Sequence, residues 1–89
     1  MKVDYHKRFL KQVAKAPHQI QMAVRERIAI FRVDRLHHLL YDHALHGEWV
    51  GFRSINITGD WRAIYRDHGE GTIEWIEFVE LGTHHKLYG

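Results

Sequence analysis

The sequence contains no cysteine. Disulfide staples and thiolate metal sites are therefore excluded, and the absence fits a reducing compartment. No apolar run approaches the length of a membrane span, and the first residues lack the apolar core of a secretory signal. A glycine-rich phosphate loop, a G-x-S-x-G nucleophile and a dinucleotide fingerprint are missing as well. No internal repeat, low-complexity tract or linker interrupts the chain. These absences predict a soluble, cytoplasmic protein without membrane association, whose chemistry runs on side chains other than thiols.

What remains is a chain of 89 residues, which suits one domain over 1–89 and leaves no room for a second core. The net charge of +2 hides an asymmetry. Residues 1–35 carry nine Lys/Arg against three Asp/Glu, giving +6, and residues 36–89 carry four against eight, giving −4. A basic half suits a polyanion or an acidic protein partner, and it also suits a plain solvated helix surface. Charge alone leaves these open. Nine histidines are an unusual number for this length, and histidine both exchanges protons near neutral pH and ligates metals.

The hydrophobic pattern divides the chain. "KVDYH" alternates as a short strand does. "KRFLKQVAKA" places Phe9, Leu10, Val13 and Ala14 on one helical face and Lys7, Lys11 and Lys15 on another. Pro17 ends that helix and opens the next, in which Ile20, Val24, Ile28 and Phe31 form an apolar stripe. "DRLHHLLYDHALHGEW" follows neither period and is predicted to be a loop with one short turn; loops of this length in small domains are often functional. "GFRSINI", "WRAIYR" and "TIEWIEFVEL" are predicted strands, joined by "TGD" and by the looser "DHGEG". The last strand is apolar on both faces, which predicts a central position. Gly82 is expected to break it, and Leu87 and Tyr88 to fold back on the sheet. The predicted fold class is α+β, order βααβββ, with two N-terminal helices on one face of a mostly antiparallel four-stranded sheet.

The other face and its rims then gather an unusual set. The loop brings His43 and His46, the first hairpin brings Asp60, Trp61 and Arg62, and the tail brings His84, His85, Lys86 and Tyr88. Proton donors and acceptors, a fixed cation and aromatic surfaces suit cleavage of RNA by its own 2′-hydroxyl. That reaction needs a base, an acid and a cation for the charge growing on phosphorus, and an aromatic holds an unstacked base. Each residue also has a plainer use. Asp60 is a common turn residue, Trp49 and Trp75 are expected in the core, and Trp61 suits either core or ligand. His6, His18 and His68 are expected on solvent-exposed helix or turn positions, as are His37 and His38 in the loop. Without a recognisable ligand spacing, the histidines are not read as a metal site.

In combination, "LLYDHALHGEWVGFRSINITGDWRAIYR" and the closing "LGTHHKLYG" resemble the RelE/ParE superfamily of bacterial toxins, in particular its YafQ-like ribonuclease branch. The elements "DHAL-G-W-G-R", "GDWR-IY" and "GTH-LYG" carry the resemblance through their order and spacing. It implies a βααβββ toxin of a type II toxin–antitoxin system that cuts mRNA, usually on the ribosome, and is held by a cognate protein antitoxin. No cofactor and no metal are implied. Matching positions put His43, Asp60, Arg62, His84 and Tyr88 in catalytic roles. Asn56, Trp61, Arg53 and Lys86, with Lys7, Lys11 and Lys15 of the basic half, would contact RNA. This chain departs from the branch at Asn56, where a histidine is usual. An amide cannot act as a base, so the weight shifts to His43, His84 and Asp60. Two rivals share the fold: a ParE-like toxin that binds DNA gyrase without catalysis, and an inactive RNA- or partner-binding module.

Overall fold

The structure, a computed structural model, describes residues 1–88. Strand β1 (Lys2–Tyr5) leads into helix α1 (Lys7–Lys15) and helix α2 (His18–Val33), followed by β2 (His43–Ala44), β3 (Arg53–Asn56), β4 (Trp61–Asp67), β5 (Trp75–Thr83) and a short helix α3 (His84–Tyr88). The sheet has five strands in the order β1-β5-β4-β3-β2, not four. The fifth, β2, lies inside the segment predicted as a loop, where it pairs His43 with Ser54 and Ala44 with Arg53. Two residues cannot display a period, so pattern reading passes over such a strand. The same segment also winds into 3₁₀ turns at His38–Leu40 and Gly47–Trp49. All pairings are antiparallel except β1 with β5.

Local chemistry sets the helix ends. The His6 side chain accepts a hydrogen bond from the Arg8 N–H at 3.0 Å and so caps α1. Pro17 stands immediately before α2, where its missing N–H and fixed φ cost nothing. Both helices pack on one face of the sheet. Phe9, Val24, Ile28 and Phe31 meet Ile55, Ile57, Ala63, Tyr65, Ile76, Phe78 and Leu81 there. Phe31 sits edge-on to Tyr65 and Phe78 at 5.1 and 5.3 Å between ring centres. Each such side chain contributes roughly 1.5–3 kcal/mol by leaving water.

Two expectations about β5 need correction. Gly82 does not break the strand, which runs on to Thr83. It is instead where α3 lies down: a Cβ at Gly82 would stand 3.2 Å from Leu87, tighter than ordinary contact. The strand is also irregular. Ile64 pairs with Glu80 but Tyr65 with Phe78, so Val79 is an unpaired bulge residue. This is how Phe78 and Leu81, three residues apart, share the core. Trp75 is not a core residue either; it is 36% exposed. Its indole donates to Asp4 at 2.7 Å, with Lys2 over the ring and His68 beside it.

Candidate active site

The face of the sheet away from α1 and α2 carries Ser54, Asn56, Arg62 and Ile64, the partners by alternation of core residues Ile55, Ile57, Ala63 and Tyr65. Over it lie the 41–46 loop on one side and α3 on the other. Between them is a pocket of about 360 Å³ lined by Tyr41, His43, His46, Asn56, Arg62, His84 and Tyr88, with Ala44 and Leu45.

His43 arrives through a sharp turn. Tyr41 adopts the left-handed conformation, φ 45°, which a bulky residue seldom does. The Tyr41 carbonyl then lies 2.9 Å from Nδ1 of His43. A carbonyl only accepts, so Nδ1 carries the proton, and the neutral ring keeps its lone pair on Nε2. Arg62 is braced from the start of β4: Nη1 donates to the carbonyls of Thr58, Gly59 and Trp61, each at 3.1 Å. The guanidinium is therefore both the lock of the hairpin turn and a cation in the pocket. His84 opens α3, and its N–H donates to the Asp60 carbonyl at 2.9 Å. Its ring stands edge-on to Tyr88 at 4.8 Å, and the Tyr88 hydroxyl is 3.2 Å from Ser54 Oγ. The Asn56 Oδ1 atom is buried with no hydrogen-bond partner among the described residues.

Beside the pocket is a partly buried polar knot, centred on Asp42, that sequence reasoning missed. The Asp42 side chain is 1% exposed and accepts from Arg53 Nε at 2.7 Å and from the Tyr65 hydroxyl. Arg35 donates to Tyr65 at 3.1 Å and to Asp67 at 3.0 Å. The bond to Asp42 raises the Arg53 guanidinium further above its ordinary value, against a smaller opposing effect of burial. Burial, helped by the Asp42 carboxylate, pushes the Tyr65 hydroxyl well up. Burial also works to raise Asp67, but the Gly69 N–H and the Arg35 guanidinium together hold its carboxyl below the usual range. Every charge in the knot has a partner, which the burial of Asp42 at its centre requires.

The other expected site residues lie elsewhere. Asp60 is exposed in the turn and touches the site through its backbone. Arg53 is directed into the knot. Trp61 packs towards the helices and, with Lys15 and Lys86, lines a separate groove. Lys7 and Lys11 are exposed on α1, outside the pocket. The pocket also holds His46, which the sequence offers as a loop histidine without a role, and Tyr41, which it does not point to. His46 was visible as a loop histidine; the left-handed turn at Tyr41 leaves no mark in the sequence. Among the described residues, no group of three or more histidines and carboxylates is arranged to hold a metal ion, and no helix is long and apolar enough to cross a membrane.

Solved structures share this architecture. YafQ from E. coli is 24% identical with a TM-score of 0.77, the match covering 99% of this chain and 98% of that one. An E. coli DinJ–YafQ complex matches at 25% identity and a TM-score of 0.74, over 99% of this chain and 98% of that one. A YoeB/ParE toxin from Agrobacterium tumefaciens matches at 20% identity and 0.74, over 94% and 99%. Comparison with curated protein sequences finds no match. A family model described as bacterial toxin of type II toxin–antitoxin system, YafQ, matches residues 1–89, the whole length of the sequence. The chain therefore belongs to the YafQ family of type II toxin–antitoxin toxins.

Proposed function

We propose that the protein is an endoribonuclease that cleaves mRNA, with the ribosome presenting the message, and that a cognate protein antitoxin restrains it. The observation that carries this reading is the convergence of His43, Asn56, Arg62, His84 and Tyr88 on one pocket from four separate parts of the chain. The E. coli toxin in the DinJ–YafQ complex has a protein partner of the kind proposed here.

The geometry supports a division of labour. Nε2 of His43 removes the proton from the ribose 2′-hydroxyl, and the 2′-oxygen attacks the adjacent phosphorus. The bond to the 5′-oxygen breaks, and the His84 imidazolium gives that oxygen a proton. The products are a 2′,3′-cyclic phosphate and a free 5′-hydroxyl. Arg62, already immobilised by three carbonyls, meets the charge on the phosphoryl oxygens without reorganising. Tyr88 packs against His84 and aims it. Asn56 lines the same pocket, paired across the sheet with Arg62, and its amide hydrogen-bonds the ribose or phosphate.

A translation reaction with ribosomes and a reporter mRNA tests the reading. Fragments ending in cyclic phosphate are expected, and they should vanish with His84→Ala. Intact message together with trapped gyrase–DNA complexes would overturn it.

A further inference from the structure

Trp61 and Arg62 are consecutive residues of β4, so their side chains leave on opposite faces of the sheet. Arg62 enters the pocket; Trp61 enters a groove of about 560 Å³ where the end of α1 faces α3 across the end of β5. Both cavities flank the same Thr58–Trp61 turn. We propose that this groove is a second nucleotide subsite, in which the base next to the scissile linkage stacks on Trp61 and the phosphate beyond it meets Lys15 and Lys86. The inference rests on the RNA-cleavage reading above.

Three observations favour an RNA occupant. The first is charge. The acid of the groove, Glu80, is fully engaged: Arg8 donates to Oε1 at 2.8 Å and Gln12 to Oε2 at 2.7 Å. Lys15 and Lys86 are exposed and have no ion pair among the described residues. The groove therefore presents net positive charge. The second is the indole. The N–H groups of Trp49 and Trp75 are taken by the Leu87 carbonyl and by Asp4. That of Trp61 has no protein partner among the described residues. The third is the lining, in which Trp61, Leu81 and Leu87 form an apolar wall next to the lysines. An aromatic wall beside cations is the arrangement that holds unpaired bases without regard to sequence. A strand crossing the turn with one phosphate at Arg62 would bring its neighbouring base to Trp61.

The test combines cleavage and binding. For cleavage, ribosome-bound messages carry an abasic residue on one side or the other of the cut. One of the two should lose kcat/KM by roughly 5- to 150-fold, the range for a stacked base. Trp61→Leu should lose a similar factor on intact message and nothing further on the abasic one, while Trp61→Phe retains most activity. Because Trp61 also touches the core, Lys15→Ala and Lys86→Ala provide surface variants. Each should lower the salt slope of RNA binding by about 0.7. For binding, the whole chain labelled with 5-fluorotryptophan is titrated with a short mixed-sequence single-stranded RNA and with its abasic analogue. A shift of the Trp61 signal by the first and not the second supports the subsite even if the wild-type chain cleaves nothing, which would overturn the nuclease reading alone. Normal cleavage of both abasic messages, or a Trp61 signal that ignores RNA and moves only with the antitoxin, would overturn the subsite.

Discussion

Asp42 and His43 are neighbours in sequence with opposite surroundings. Asp42 points into a knot where Arg53, Tyr65, Arg35 and Asp67 satisfy one another. His43 points into a pocket where Asn56 Oδ1 has no partner among the described residues and the His84 imidazole is exposed. In the knot, charge is immobilised by other charge; in the pocket, His43 and Arg62 are held by backbone carbonyls and the His84 ring faces outward. The same short loop therefore both anchors and reaches. The left-handed Tyr41 turn and the two-residue pairing of β2 let adjacent side chains part this way.

The largest effect is expected on removing a pocket group. His84→Ala should lower mRNA cleavage by about 100- to 10,000-fold while urea unfolding stays at the wild-type midpoint; a shifted midpoint would mean that His84 belongs to the structural half. Removing an anchored group should do the reverse. Asp42→Ala leaves Arg53 and Tyr65 without their acceptor and is expected to destabilise the fold by about 3 kcal/mol, read from the same urea curves. Cleavage should fall only as far as His43 is displaced. Asn56→Leu tests the intermediate case. Losing a buried acceptor that has no partner among the described residues should leave stability unchanged or slightly higher, and losing the amide from the pocket wall should raise KM about tenfold.

The smallest effect is expected at the rim of the knot. Asp67 is held below the usual carboxylate range in the folded state, so its contribution is present above the unfolded-state value of about 3.9. It fades as pH falls through the lower folded-state value. Asp67→Asn should therefore cost about 0.2–1 kcal/mol at pH 7, the range of a surface pair, and its difference from wild type should shrink below pH 4. A difference that persisted into acid would assign the effect to packing rather than charge.

The elements with local signals were legible in the sequence: both long helices from their apolar stripes, β1 and β3 from alternation, β4 from its strand-forming residues after the turn, and β5 from its apolar character on both faces. The short β2 was not, because its pairing with β3 follows from tertiary structure and not from any period. The pocket residues His43, Arg62, His84 and Tyr88 could be named from motif order, and the structure brings them around one cavity. Asp42 stands inside "DHAL", but its role is not legible there. Its partners Arg53 and Tyr65 are 11 and 23 residues away, and no local pattern says that a loop aspartate is buried. Adjacency in sequence suggests that Trp61 stands beside Arg62; the pleat puts them on opposite faces.

The bulge at Val79 has a consequence for anyone altering this chain. An ideal strand carries two residues per repeat, and β5 departs from that count once, between Phe78 and Glu80. A redesign that treated β5 as uniform would therefore invert its last third, turning Leu81 outward and Gly82 inward. The seat under Leu87 would go with it, and with that seat the footing of the whole C-terminal helix. One unpaired residue thus acts as a phase marker for everything downstream.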